Sequence, residues 1–229
     1  MRNFTPESLA KFQARAILRA TNRNPYLKAA PPPRNHPVEL SFDIEKDPSR
    51  DHCYLHGFVE WREGDNASEK FFGFFSAEPT LKGEHDAFDA AWAYLRSRQP
   101  CVIYIYSKYE LTWWGYLQKR HPDVCSAEDV NALFASFDMI DLYEIVARHT
   151  EWPTRVFSLK TLAKFLGFEW RDAHPSGAAS IEWFEQYLNG DPDAKERILA
   201  YNENDCRATR VLLDGILALE MRAESMSPT

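Results

Sequence analysis

The sequence has no basic excess. Its 27 lysines and arginines are outnumbered by 34 aspartates and glutamates, a formal net charge of −7. No global positive field is therefore available to gather nucleic acid by nonspecific phosphate attraction. An enzyme with a local basic groove or bound cations remains open. Zinc-ligand spacing is also missing: Cys53, Cys101, Cys125 and Cys206 are scattered and no CxxC occurs, which suits reduced thiols rather than a disulfide framework. Cys101 and Cys206 are expected in or near the core. The N-terminus has no apolar signal-like region, and no apolar run approaches ~18 residues. The expectation is a soluble, cytoplasmic protein with no membrane partner. Internal repeats are absent as well.

What is present is a globular composition, 45% hydrophobic, 27% charged and 14% aromatic over 229 residues, enough for one sizeable domain with a short appendage. The appendage comes first. "TPESLAKFQARAILRA" (Thr5 to Ala20) predicts a helix: Thr5 can cap, Pro6 suits the first helical position, and Leu9, Phe12, Ala16 and Ile17 form a stripe. "NRNPYLKAAPPPRNHP" follows with five prolines and no periodicity, the signature of a linker. The expected division is an N-terminal helix and Pro-rich linker over 1–36, a domain over 37–221 and a tail over 222–229.

From Val38 the pattern changes. "VELSFDIE" alternates, with Val38, Leu40, Phe42 and Ile44 on one face and Glu39, Ser41, Asp43 and Glu45 on the other. "HCYLHGFVEWRE" and "EKFFGFFS" predict a second and third strand, with the acidic, Asn-containing stretch between them as the turn. "GEHDAFDAAWAYLRSR" predicts a helix, "CVIYIY" a buried strand, "KYELTWWGYLQKRH" a helix, and "FDMIDLYEIVARH" a strand running into a helix. "SLKTLAKFLGF" is a short helix opened by a Ser cap and closed by Gly167. Two or three helices finish the chain. Hairpin-linked strands followed by alternating helix and strand predict an α/β mixed sheet flanked by helices.

The acidic positions carry the chemistry. Asp43 and Glu45 point the same way from one strand with alpha carbons ~7 Å apart, so both side chains can converge on one cation. Aspartate is disfavoured in strands. The competing reading is a solvated edge strand with ordinary surface acids. Glu110 opens a helix just after a strand, where the helix dipole alone would favour an acid. Asp141 sits where a strand turns into a helix and suits an N-cap; Asp138 has less to recommend it. In "ILAYNENDCRATRVLL", Tyr201 and Asp205 stand at i and i+4 on one helix face. Alone they read equally well as a half-buried aromatic and a surface acid. Together with the strand acids they can look into one pocket.

The order D-x-E on a first strand, an acid after a later strand and Y-x-x-x-D on a late helix resembles the DEDD exonucleases of the ribonuclease H-like superfamily, in their tyrosine subclass. "FDIEKDP", "YSKYE", "SLKTLAKFLGFEWRDAHPSG" and "YNENDCRAT" further resemble the RNase H-like domain of bacterial predicted RecB-type nucleases. The resemblance covers about Val38 to Leu219. One departure from the broader pattern is Glu110 where an aspartate is usual; the predicted-nuclease family itself has Glu there. The resemblance implies a ribonuclease H-like, five-stranded mixed sheet, three antiparallel strands and then parallel ones. It implies two Mg²⁺ or Mn²⁺ ions ~3.5–4 Å apart, with Asp43 bridging, Glu45, Glu110 and Asp205 completing the ligand set, and Tyr201 orienting the attacking water. Hard oxygen donors favour those ions over zinc.

By the same resemblance Lys160, within "SLK", would contact substrate; Asp141, whose capping duty explains it without a metal, is expected at most behind the direct ligands. Tyr109, Trp113 and Trp114 are candidate base-stacking rings, although Trp113 and Trp114, at least one of them, suit the core better. The implied partner is nucleic acid, single-stranded ends above all. Relatives often carry a RecB- or Cas4-like nuclease half that is not seen here, so a separate nuclease or helicase component is a further implied partner, with residues 1–36 as the joint. The expected activity is 3′-to-5′ exonuclease cleavage of single-stranded DNA or RNA. The alternatives are a catalytically silent nucleic-acid-binding module and a structure-selective endonuclease.

Overall fold

The structure, a computed structural model, describes residues 5–21, 24–31, 36–136 and 138–221; the expected tail at 222–229 lies outside them. Pro6 opens helix α1 (Pro6–Ala20), but the anticipated stripe turns outward. Leu9, Phe12 and Ile17 are exposed, and Leu18 is the buried residue. Part of the Pro-rich stretch does more than link: Tyr26–Leu27 is a short strand, β1, antiparallel to Thr150–Glu151 far along the chain. Arg15 and Lys28 both pair with Glu151, at 3.1 and 3.5 Å.

Strands β2 (Val38–Asp47), β3 (His52–Arg62) and β4 (Asp65–Phe75) form an antiparallel meander. The β3–β4 hairpin turns on Glu63 and Gly64, at φ 52° and 69°, the paired left-handed geometry of a two-residue turn whose twist matches the strands. The turn is therefore tighter than the acidic stretch suggested, and Asp65 already pairs with Arg62. Helix α2 (Leu81–Arg98) is capped by Thr80, whose Oγ1 accepts from Gly83 N at 3.0 Å. It leads to β5 (Val102–Ile105), parallel to β2, then to α3 (Tyr109–Arg120) and α4 (Ala127–Ala135). Helix α4 was not expected, although its start carries a reciprocal cap: Ser126 Oγ accepts from Asp129 N, and Asp129 Oδ2 accepts from Ser126 N.

Strand β6 (Met139–Asp141) runs parallel to β5 and leads straight into α5 (Leu142–His149). β7 (Thr150–Glu151), α6 (Leu159–Phe165), α7 (Gly177–Leu188) and α8 (Pro192–Leu217) complete the chain. As anticipated, Ser158 caps α6, accepting from Thr161 N at 3.2 Å, and Gly167 closes it at φ +88°, a conformation glycine adopts without steric cost.

The sheet order β4-β3-β2-β5-β6 is the mixed, five-stranded α/β arrangement anticipated, and it decides the fate of the acidic strand. β2 is central, so the solvated edge-strand reading fails. On one face Leu40, Phe42 and Ile44 pack with Phe88 and Trp92 of α2 and Trp114 of α3. On the other, Val59, Trp61 and Tyr104 pack against α5 and α8, and Tyr54 packs with Phe184 of α7 and Ile198 of α8. The four cysteines are buried and free. Among the described residues no helix is long and apolar enough to cross a membrane.

Candidate active site

The period of two along β2 sends Glu39, Ser41, Asp43 and Glu45 toward α8. What lets α8 come close is Gly57, opposite Asp43 in β3. A Cβ there would fall 1.6 Å from Asn202 Oδ1, so any side chain would push the helix away. In the space left, Asn202 Nδ2 donates to Asp43 Oδ2 at 2.8 Å, and Cys206 Sγ donates to Gly57 O at 3.4 Å. Tyr201 and Asp205, one turn apart on α8, both turn inward and are 4% and 7% exposed. The sheet and α8 thus bring one oxygen each of Asp43, Glu45 and Asp205 within 4.8 Å of one another. Among the described residues this is the one acidic group so arranged.

Among the described residues one cation touches the trio by hydrogen bond. Lys160 Nζ, from α6, donates to Asp205 at 3.1 and 3.3 Å and to Tyr201 Oη at 2.8 Å. Lys160 therefore sits inside the site, in contact with the pair that sequence placed on one face. Trp170 Nε1 donates to Asp205 Oδ1 at 2.6 Å. A single ammonium does not balance three acids. Burial first, then the charge of Asp205, holds Asp43 well above the usual carboxylate range. Burial and then Asp43 do the same to Glu45. Burial and the carboxylates around it also push the Tyr201 hydroxyl far up, so at neutral pH it is an intact O–H.

Glu110 lies in the first turn of α3 and is 4% exposed. It meets Asp43 side chain to side chain, and burial followed by the Asp43 charge raises its pKa strongly. Its Oε2 is buried with no hydrogen-bond partner. It stands against the trio through Asp43 and is not one of the mutually close three. Asp141 has different work: Oδ1 accepts from Tyr143 N, capping α5, and from Ser107 N, both at 2.9 Å. Ser107 has φ 93°, an uncommon conformation for a residue with a side chain. Asp141 thus fixes the loop that delivers Glu110. Asp138 lies elsewhere, paired with His36 at 2.9 Å.

Asn202, Trp170 and Ser180 escaped the sequence reading. Ser180 Oγ bonds Tyr54 Oη at 2.8 Å and also reaches the Glu45 carboxylate. Asn202 and Trp170 fall within stretches already singled out, but their contacts cross between elements and have no local signal.

The comparisons bear on the same residues. No curated protein and no solved structure gives a significant match to the chain. A family model described as RNase_H superfamily matches residues 40–217, a span that contains Asp43, Glu45, Glu110, Lys160, Tyr201 and Asp205. With most of its length matched, and a sheet whose antiparallel half gives way to parallel strands beside a buried carboxylate cluster, the chain belongs to the RNase H superfamily.

Proposed function

We propose that the chain is a divalent-metal-dependent nuclease. In this reading it hydrolyses phosphodiester bonds of single-stranded DNA or RNA from the 3′ end, as in the tyrosine subclass of DEDD exonucleases, with residues 37–221 as the catalytic domain. The observation that carries the reading is the convergence of Asp43, Glu45 and Asp205 oxygens within 4.8 Å in surroundings that favour their neutral forms. Like charges desolvated together destabilise a fold unless a cation offsets them.

The donor set fits such a cation. It is all carboxylate oxygen, which suits Mg²⁺ or Mn²⁺ rather than zinc, and the orphaned Glu110 Oε2 is a further ligand in reserve. Asp43, Glu45, Glu110 and Asp205 would hold two ions, Asp43 being the member of the trio that also meets Glu110. Bound there, the ions would supply a more acidic attacking water and charge stabilisation at the leaving 3′ oxygen. Tyr201, kept protonated, orients water through its hydroxyl. Lys160 holds that hydroxyl by its 2.8 Å hydrogen bond and brings positive charge to the phosphate's side of the site. Asp141 acts behind the ligands, through the Ser107 loop.

The test is an assay on single-stranded DNA and RNA labelled at either end, with Mn²⁺ and an EDTA control. Mononucleotides released from the 3′ end under Mn²⁺ alone are the expected result. Internal cuts would make the chain an endonuclease, and binding without cleavage would make it a silent module.

A further inference from the structure

Helix α3 carries an aromatic row that the acidic cluster does not use and the core uses only through Trp113. Tyr109, Trp113 and Tyr116 stand at i, i+4 and i+7, one helix face, and their rings follow one another. Centroids are 6.4 Å apart from Tyr109 to Trp113 and 5.5 Å from Trp113 to Tyr116. Packing explains Trp114, fully enclosed under β2, and Trp113, which is 9% exposed and belongs to the same core, but not the tyrosines on either side: Tyr109 is 44% and Tyr116 54% exposed.

Cations border the row. Lys46, the residue after Glu45, sets its Nζ 3.5 Å from the Trp113 ring centre, and Lys119 Nζ lies 6.0 Å from that of Tyr116. Beyond Tyr116, a groove between α3 and α4 includes Thr112, Gly115, Lys119 and Asn131 in its lining, and none of its described lining residues is acidic. The chain's net charge is −7, and here exposed rings stand beside cations. The inner end of the row is fixed by the chain itself: Tyr109 precedes Glu110, and Lys46 follows Glu45.

We infer that the exposed rings of Tyr109 and Tyr116, braced by the buried Trp113 between them and bordered by Lys46 and Lys119, form the track for the unpaired bases of a single-stranded nucleic acid whose reacting end lies at the carboxylates. The direction of the track rests on the nuclease reading; the binding surface does not. Exposed rings accept the flat face of any base, and cations beside them meet the backbone phosphates. Bases in a duplex are already stacked on one another and cannot offer that face. Seven residues of helix span ~10 Å, about three nucleotide steps at ~3.4 Å each. The shared chemistry is a single strand, and DNA and RNA are separate arms of the test.

The experiment uses the full chain carrying Asp43→Asn, so that cleavage does not intervene. Fluorescence anisotropy would report binding of labelled dT12, rU12 and a 12-base-pair duplex. The expected result is preference for a single strand, DNA or RNA, over duplex. Tyr116→Ala should weaken single-strand binding by roughly tenfold or more, while Tyr116→Phe, which keeps the ring, retains it. Lys119→Gln should lower the slope of log affinity against log salt by about 0.7. Unchanged affinity in Tyr116→Ala with an unchanged melting temperature, or duplex bound as well as single strand, overturns the track. Mn²⁺-dependent cleavage by the wild-type chain is scored separately. Cleavage with no effect of Tyr116→Ala removes the track and keeps the nuclease; Tyr116-dependent binding with no cleavage removes the nuclease and keeps the track as a binding surface.

Discussion

Among the acids buried in the described residues, Glu84 and the acids of the candidate site are treated in opposite ways. Glu84 of α2 is fully enclosed, yet both of its oxygens are answered. Cys53 N donates at 2.8 Å, Arg120 reaches both oxygens at 2.9 and 3.0 Å, and His121 Nε2 lies at 2.9 Å. Burial pushes its pKa up, but the Cys53 amide, His121 and Arg120 together outweigh burial, and Glu84 stays below its ordinary value. At Asp43, Glu45 and Glu110 the balance is reversed. Burial and mutual repulsion prevail over one lysine and a few hydrogen bonds. An acid whose partners are all built in holds the fold together; acids left short of positive charge form a site that a bound cation would offset.

The comparison breaks most sharply at Asp43. Asp43→Asn should abolish Mn²⁺-dependent hydrolysis while the fold survives, because the substitution relieves repulsion in the metal-free protein. A melting temperature that collapses in this variant would mark Asp43 as structural. Glu110→Gln should also eliminate activity, whereas Asp141→Asn should spare much of it, since the amide oxygen can still accept from Ser107 N and Tyr143 N. The reverse ranking in a turnover assay would make Asp141 the ligand.

Next in size is Tyr201→Phe. Loss of a positioned hydroxyl should slow turnover by roughly 10²-fold, the scale of a group that handles a proton in the transition state. Mn²⁺ affinity, read by calorimetry, should hold, because no carboxylate is touched. Cleavage at the wild-type rate would remove the tyrosine-subclass assignment and leave the metal-dependent nuclease standing.

Glu84 gives the opposite kind of effect. Glu84→Gln deprives Arg120 of its buried counter-charge, and with the Arg120 side chain 26% exposed the cost should be about 2 kcal/mol. In a domain of this size that lowers the melting temperature by about 4–8 °C. Mn²⁺ affinity should not move. A loss of Mn²⁺ affinity in Glu84→Gln would erase the division between the two sets of acids.

What could be read in advance was whatever repeats locally. The alternation of "VELSFDIE" is a property of eight consecutive residues, and the Tyr201–Asp205 pair needs only helical spacing, so both survive the passage to three dimensions. Glu110 was legible because a strand end followed by a helix start is also local. The stripe on α1 was real as a helix face, but periodicity names a face and not what covers it; Leu9, Phe12 and Ile17 remain exposed. The Asn202 contact depends on how closely α8 approaches β2, a distance set by a glycine on a third element, and those of Trp170 and Lys160 on how the α6 region packs against α8. Lys160 shows the gap best. The family resemblance implies a substrate contact for it, and only packing reveals its bonds to Asp205 and Tyr201.

The smallest effect is the pH dependence of stability, and there the two sets of acids should run in opposite directions. In the metal-free protein Asp43, Glu45 and Glu110 hold protons more tightly when folded than when unfolded. Their contribution is therefore complete below the unfolded-chain pKa of ~4 and declines as pH rises through the higher folded values. Glu84 has a lowered folded value, so its contribution is present above ~4 and is lost as pH falls. In EDTA, the wild-type melting temperature should then fall between pH 5 and pH 8, and fall less in Asp43→Asn, where one of the repelling charges never forms. Saturating Mn²⁺ should flatten the wild-type curve over the same range, because the ion binds the ionised carboxylates and the protons leave with its arrival. Below pH 4 wild type and Asp43→Asn should both lose stability, since the Glu84 network is intact in each. Superimposable EDTA profiles for the two proteins between pH 5 and pH 8 would show that the carboxylates repel one another too weakly to need a metal.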